Sequence, residues 1–398
     1  MVQPREFASL LRLALPIMVS SALTFAMQIV DFAFVGRLGT HELAAAGLGT
    51  NVFSLVQHPV FGLASALDTL LSQSHGAGQM QQYRAWAQTG LYVCLAFAIP
   101  WAALLAVAGP VLAWLGVEPL LAESAGQYCF GLILGVPPYI GFFWLTKLLQ
   151  AQSIVAPAVW IALAANLLNG LFNYVLIFKL GLGLNGAPLA TSLSRWVQLL
   201  LGVGYLLAHR HGKLRASLPS LTRLDCGTVP SRVGTFLRLG VPGAIMLGLE
   251  AWFFELSTFL ASFLGTVSFD AHCTLLNICA FTFLSFPFAL GIAASIRVGQ
   301  TLGAGAPQQA QATAQASFAL VLVEMAVLAS TKIGLRGQIG RVFTSDPAVV
   351  AKVAALVPIA ALFQVADGVQ AVIGGVLRGM GRQSLVAWVN RARAELEP

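Results

Sequence analysis

The sequence predicts an all-α polytopic membrane protein built as two parallel-repeat bundles, six spans followed by an incomplete second set, about ten spans in total. Three observations predict it. The 398 residues are 58% hydrophobic and 9% charged, with a mean hydropathy of +0.81, whereas soluble domains carry about 25% charged residues. Apolar runs long enough to cross the ~30 Å hydrocarbon layer recur along the whole chain. Short motifs also recur in the same order at a nearly constant offset, the mark of a duplicated unit.

The runs fall at about 10–36, 43–71, 86–115, 126–150, 154–180, 186–208, 236–265, 271–296, 312–335 and 348–377. Most contain Gly or Pro, which lipid-embedded helices tolerate where neighbours re-satisfy the freed backbone groups. Pro16, Pro100, Pro137, Pro138, Pro242, Pro287 and Pro358 are the expected kinks. The first run has no convincing cleavage site and reads as span one rather than a signal. The net charge of +7 gathers between apolar segments, the pattern of cytoplasmic loops and not of a nucleic-acid-binding face. Four of the five cysteines (Cys94, Cys129, Cys273 and Cys279) lie inside apolar runs. Neither a disulfide framework nor a metal site is expected from them, and no cofactor is expected.

The long polar connection 209–234 holds Arg210, Lys213, Arg215, Arg223 and Arg232 against Asp225. The positive-inside rule sets it, and by counting back the N-terminus, in the cytoplasm. Leu11–Pro16 (LRLALP) recurs as Leu237–Pro242 (LRLGVP), 226 positions on, and Gln73–Gly78 recurs as Gln300–Gly305, 227 on. Glu118-Pro119 matches Asp346-Pro347 at 228, and Gln152-Ser153 matches Gln383-Ser384 at 231. An even number of spans per unit makes the repeat parallel, about an axis along the membrane normal. The expected organisation is an N-lobe over 1–208, a basic cytoplasmic linker over 209–234, and a C-lobe over 235–398. The C-lobe holds spans 7–10 and the start of span 11, cut off as in a fragment or a shortened product.

Polar residues inside the spans locate the candidate site. Glu250 and Glu255 lie in one apolar run, where an ionisable group at bilayer depth costs about 2.5–3.5 kcal/mol on insertion scales. At 100° per residue they point about 140° apart. Thr24, Gln28 and Asp31 form one helical stripe, and Asn166, Asn169 and Asn173 another; Gln364, Asp367 and Gln370 share a side of span ten. The asparagines also suit plain interhelical hydrogen bonding. Arg195 or Lys147 could pair with Glu250 or Asp367, and Glu324 reads as a paired or snorkelling acid. Trp252, Phe253 and Phe254 could wall a site for an organic cation. A buried carboxyl holds its proton more tightly and gives it up when a cation arrives. That competition is the minimum an exchanger needs.

With these residues in hand, the chain resembles the multidrug and toxic compound extrusion (MATE) family in its eukaryotic branch, over essentially residues 9–390. The marks are Ala66–Gly78, Leu148–Ser153, Lys179–Ser192, Leu249–Glu255, Ala293–Gly305, Phe343–Pro347 and Gly375–Gln383. The resemblance implies a two-lobe exporter in a plasma or vacuolar/organelle membrane, exchanging organic cations or other xenobiotics for protons rather than Na+. It implies Glu250, Glu255 and Asp367 as the coupling acids. Asp31, Gln28, Asn169, Asn173, Trp252, Gln364 and Gln370 are then expected around the cavity. Asn173 stands where bacterial relatives often carry an acid, which favours the C-lobe acids over an N-lobe cation site. The expected partners are small organic cations and the bilayer, with no nucleic acid. The rival readings are a shortened, transport-dead partner of a longer transporter and a lipid-linked precursor flippase. No protease motif accompanies the acids, and an enzyme is not expected.

Overall fold

The computed structural model describes residues 4–209 and 229–382, and among these every regular element is a helix. The N-terminal half comprises α1 (Pro4–Val35), α2 (Thr40–Ala64), α3 (Ala66–Gly76), α4 (Met80–Ala106), α5 (Ala108–Trp114), α6 (Pro119–Ile133), α7 (Val136–Gln150), α8 (Ala156–Asn173) and α9 (Gly186–Ala208). A π-helical turn, Tyr174–Lys179, prolongs α8. The second half comprises α10 (Val229–Ser262), α11 (Thr266–Ser285), α12 (Pro287–Gly303), α13 (Pro307–Gly334), α14 (Arg336–Ile339) and α15 (Pro347–Gly379). Most of the basic linker and the expected start of span eleven lie outside the described residues.

Seven helical segments are long and apolar enough to cross a membrane, or eight if α6 and α7, bent by 52°, are one span. Ten were expected. The two further runs, α2–α3 and α9, miss that measure because polar side chains dilute them: Asn51, Gln57 and His58 in α2, and Thr191, Ser194, Arg195 and Gln198 in α9. Three of the seven expected kink prolines sit at a bend or break. Pro137 and Pro138 open α7 just after the bend, and Pro287 opens α12 after the break at Phe286. Pro16, Pro100, Pro242 and Pro358 lie inside continuous helices. The break between α2 and α3 at Ser65 was not expected; there the hydroxyl donates to the Gly62 carbonyl at 2.6 Å.

Helices in lipid gain little from the hydrophobic effect and associate by close packing, so small residues sit where backbones meet. The seam between the halves follows this rule. A Cβ on Gly62 would collide with Gly243, one on Gly76 with the Gln300 backbone, and one on Gly303 with the Gln73 backbone. The duplicated motif thus meets its own copy. Its last glycines, Gly78 and Gly305, have φ of +69° and +72°, a left-handed conformation that glycine adopts without a steric cost. A second such pair is Ser153 (φ +62°) and Gly381 (φ +72°), 228 positions apart. This geometric pair replaces the sequence match of Gln152-Ser153 with Gln383-Ser384, of which Gln383 and Ser384 lie outside the described residues.

Candidate functional site

The site is built from three layers of polar groups. The first lies on the face from which α4, α10 and α13 start. Here Gln73 of α3 crosses the seam and donates to the Gly379 carbonyl at 3.0 Å. Its counterpart, Gln300 of α12, crosses the other way to the Ala151 carbonyl at 2.9 Å and to Ser153 Oγ at 3.0 Å. Ala151 and Gly379 are themselves 228 positions apart, so the two bonds are copies of each other. Thr69 adds a short bond to the Arg378 carbonyl. Glu6 of α1 receives Arg297 in a bidentate pair at 3.0 and 3.1 Å, with Gln309 and Thr313 completing its shell. These bonds close that face.

The second layer is the N-lobe acid. The stripes of α1 and α8 face each other as the spacing requires: Asn166 donates to the Leu23 carbonyl at 2.9 Å. Asn169 and Asn173 donate to Asp31 Oδ1 at 3.0 and 2.7 Å, and Thr191 of α9 donates to Oδ2 at 2.6 Å. All four side chains are buried. Gln28, one turn before Asp31, is half-buried. Arg195 is sandwiched between the rings of Phe53 and Tyr139, at 4.3 and 4.8 Å, within electrostatic range of Asp31. Lys147 pairs with Asp68 at 2.8 Å. The expected pairing of either base with Glu250 or Asp367 is therefore corrected: both are held inside the N-lobe.

The third layer is the C-lobe. Glu250 and Glu255 are both half-buried on α10 and address different helices, as their angular separation requires. Glu250 lies within electrostatic range of Arg378 on α15, and Glu255 within range of Cys273 on α11. Asp367 and Gln364 are buried on α15, with Gln370 half-buried one turn on. Trp252 is 47% exposed and donates its indole N–H to the Leu55 carbonyl at 3.2 Å, which ties α10 to α2. Glu324 was expected to be paired or snorkelling. Its Oε2 is instead inaccessible and has no hydrogen-bond partner among the described residues.

One residue of this layer escaped the sequence reading. Lys332 of α13 is 7% exposed. Its ammonium donates to Gln364 Oε1 and to Thr282 Oγ1, and Cys279 Sγ lies 3.7 Å away. In the sequence it stands two residues before Gly334 at the end of a run, where a lysine reads as a snorkelling helix end.

The family model described as MatE matches the chain twice, over residues 16–175 and 242–396. Among relatives, Protein DETOXIFICATION 14 of Arabidopsis thaliana is 31% identical over 98% of this chain and 79% of its own length. Multidrug and toxin extrusion protein 1 of Xenopus tropicalis is 34% identical over 95% of this chain and 65% of its own length, so the chain spans just under two thirds of that relative. The crystal structure of the eukaryotic MATE transporter AtDTX14 superposes with a TM-score of 0.92 at 29% identity, over 98% of this chain and 87% of that one. Helices of this length and these likenesses define a multi-pass integral membrane protein, a transporter and not an enzyme. The chain belongs to the MatE family, with plant and animal members among its relatives.

Proposed function

We propose that the chain works as a secondary active antiporter, exporting organic cations or other xenobiotics in exchange for protons by alternating access between its two lobes. The observation that carries this reading is Glu255. It is half-buried in an apolar helix, and no described Lys or Arg pairs with it. A carboxylate so placed is relieved by a proton or by a cation, and the two compete for it. Glu250 and Asp367, in the same lobe, extend the acidic surface such a cation would meet.

The crossed bonds of Gln73 and Gln300 support alternating access, since they seal one face with contacts that a rocking of the lobes can break. On the positive-inside reading that face is cytoplasmic. Counting α2–α3 and α9 as spans brings the total to ten, in an N-lobe over 1–208 and a C-lobe from 235. The paired family matches start 226 residues apart, which supports duplication. A proton suits the N-lobe better than Na+ does. The groups around Asp31 turn N–H and O–H donors toward it, whereas a hard cation needs oxygen ligands.

The test uses the full chain in liposomes and follows uptake of a fluorescent organic cation into an acidic lumen. Uptake is expected to follow the pH gradient and to fall to background in Glu255→Gln. Uptake that follows a Na+ gradient and ignores pH, or that survives Glu255→Gln, would overturn the reading.

A further inference from the structure

At the edge of the seam one half of the duplication encloses a carboxylate. Glu6 of α1 is buried there and receives Arg297 of α12 and Gln309 and Thr313 of α13. The offset of 226 carries Glu6 to Arg232 of α10. The offset of 227 carries Arg297, Gln309 and Thr313 to Leu70 of α3 and to Gln82 and Trp86 of α4. The register is fixed by Leu10 and its counterpart Phe236, both fully buried, and by α4 and α13, which start at the matched residues Met80 and Pro307.

The twin place is built differently. A cavity of about 440 Å³ opens between α4 and α10, lined by Gln81, Gln82, Trp86, Ser231, Arg232 and Thr235. Three of these are the counterparts of Glu6, Gln309 and Thr313. The charge has changed sign: where α1 carries a carboxylate, α10 carries a guanidinium. The place of Arg297 is taken by Leu70, which packs in an apolar cluster with Trp86 and Phe236. The lining offers a guanidinium fork, two amides and two hydroxyls, and no acid. That is a donor set for an anion, and an arginine fork matches a phosphate in particular.

We propose that this cavity holds the phosphate of an anionic phospholipid, which ties α10 to α4 as the Glu6 carboxylate ties α1 to α12 and α13. A lipid source follows from the depth. Both walls are the first two turns of membrane-crossing helices, Met80–Ala106 and Ser231–Ala261, which puts the cavity at headgroup level. Trp86 is the residue type that sits between headgroups and chains. Further along α10, Val241 and Ile245 are exposed to acyl chains. Basic pockets between spans are where anionic headgroups are held. The inference goes beyond the transport reading, because the lipid closes the seam and is not the cargo.

The test titrates the full chain in detergent with phosphatidylglycerol and with phosphatidylcholine of identical acyl chains, and reads bound lipid by native mass spectrometry. A parallel melting series uses inorganic phosphate. The wild type is expected to retain one phosphatidylglycerol about fivefold or more tightly than phosphatidylcholine, the scale of one arginine at an anionic membrane surface. Millimolar inorganic phosphate is expected to leave its melting unchanged. Arg232→Gln, and Ala85→Phe, which fills the cavity and keeps the charge, are both expected to erase the preference. Arg238→Gln removes an exposed arginine of the same helix that does not line the cavity, and is expected to keep it. A wild type without the preference overturns the inference even if neither cavity variant assembles. So does a preference that survives in an assembled cavity variant, or one that falls equally in Arg238→Gln, the sign of diffuse surface charge. Stabilisation by inorganic phosphate that Arg232→Gln abolishes would overturn the lipid as occupant in favour of a soluble anion. Binding is read here without transport, so failure of the antiport reading leaves this result standing, and the reverse.

Discussion

The two halves bury their acids in different ways. In the N-lobe, Asp68 and Lys147 form an ion pair at 2.8 Å, and Asp31 has three donors on its two oxygens. In the C-lobe, Lys332 touches only neutral acceptors and Glu255 has no described basic partner, while each lobe buries one arginine nitrogen without a hydrogen bond, Arg195 Nη1 and Arg378 Nη2. Buried polar groups that satisfy one another stiffen a structure, whereas partly satisfied ones are held at a cost that only function explains. The difference in their acids suits the proposed antiport, with the N-lobe as scaffold and the C-lobe as the half that exchanges ions.

Three experiments sharpen or break that division. The largest effect is expected at Lys147→Met, which removes the ion-pair partner of the buried Asp68 and costs about 3–5 kcal/mol. It should read as a steep loss of thermal stability in detergent, largely restored by adding Asp68→Asn. Lys332→Leu should cost much less, because Thr282 and Gln364 also bond each other at 2.5 Å. Equal losses at the two lysines would break the division.

Asp31→Ala comes next. Bonds to a charged group contribute about 1.5–3 kcal/mol each, less whatever the freed donors regain elsewhere. The expected result is a lower melting temperature with proton-driven uptake retained. Abolished uptake at unchanged stability would move the working acid into the N-lobe.

The smallest effect concerns the seam. Gln73→Leu deletes the bond to Gly379, and Gln300→Leu deletes its counterpart to Ala151 together with the bond to Ser153 Oγ, each bond worth about 1 kcal/mol. Each is expected to raise the reactivity of a cysteine placed at Ser72 toward a water-soluble thiol reagent by a similar few-fold factor. A strong effect from one and none from the other would show that the halves do not share the closure equally.

Much of this was legible in the residues, and the omissions have physical causes. The stripes Thr24–Gln28–Asp31 and Asn166–Asn169–Asn173 marked the polar faces of α1 and α8, because 3.6-residue periodicity survives folding unchanged, and the structure joins them at Asp31, Asn169 and Asn173. The QSHGAG and QTLGAG copies predicted the duplication, and the structure gives the reason each glycine is kept: one is pressed against a backbone and one turns left-handed. Lys147 was legible as a base that could pair inside the membrane, but its partner was not. Asp68 lies 79 positions away, and no local pattern encodes that separation. Lys332 was missed because a base beside a helix end has an ordinary explanation, and only the tertiary fold shows it turned inward. The break at Ser65 leaves no proline in the sequence, so the kink rule had nothing to act on.

The crossed glutamines have a consequence for how such a chain can change over generations. Each half grips the main chain of the other, at Gly379 and at Ala151, and main-chain atoms cannot be altered by substitution. Either copy can therefore exchange its interior side chains freely while its grip stays fixed. One half could then acquire new chemistry without its twin having to follow.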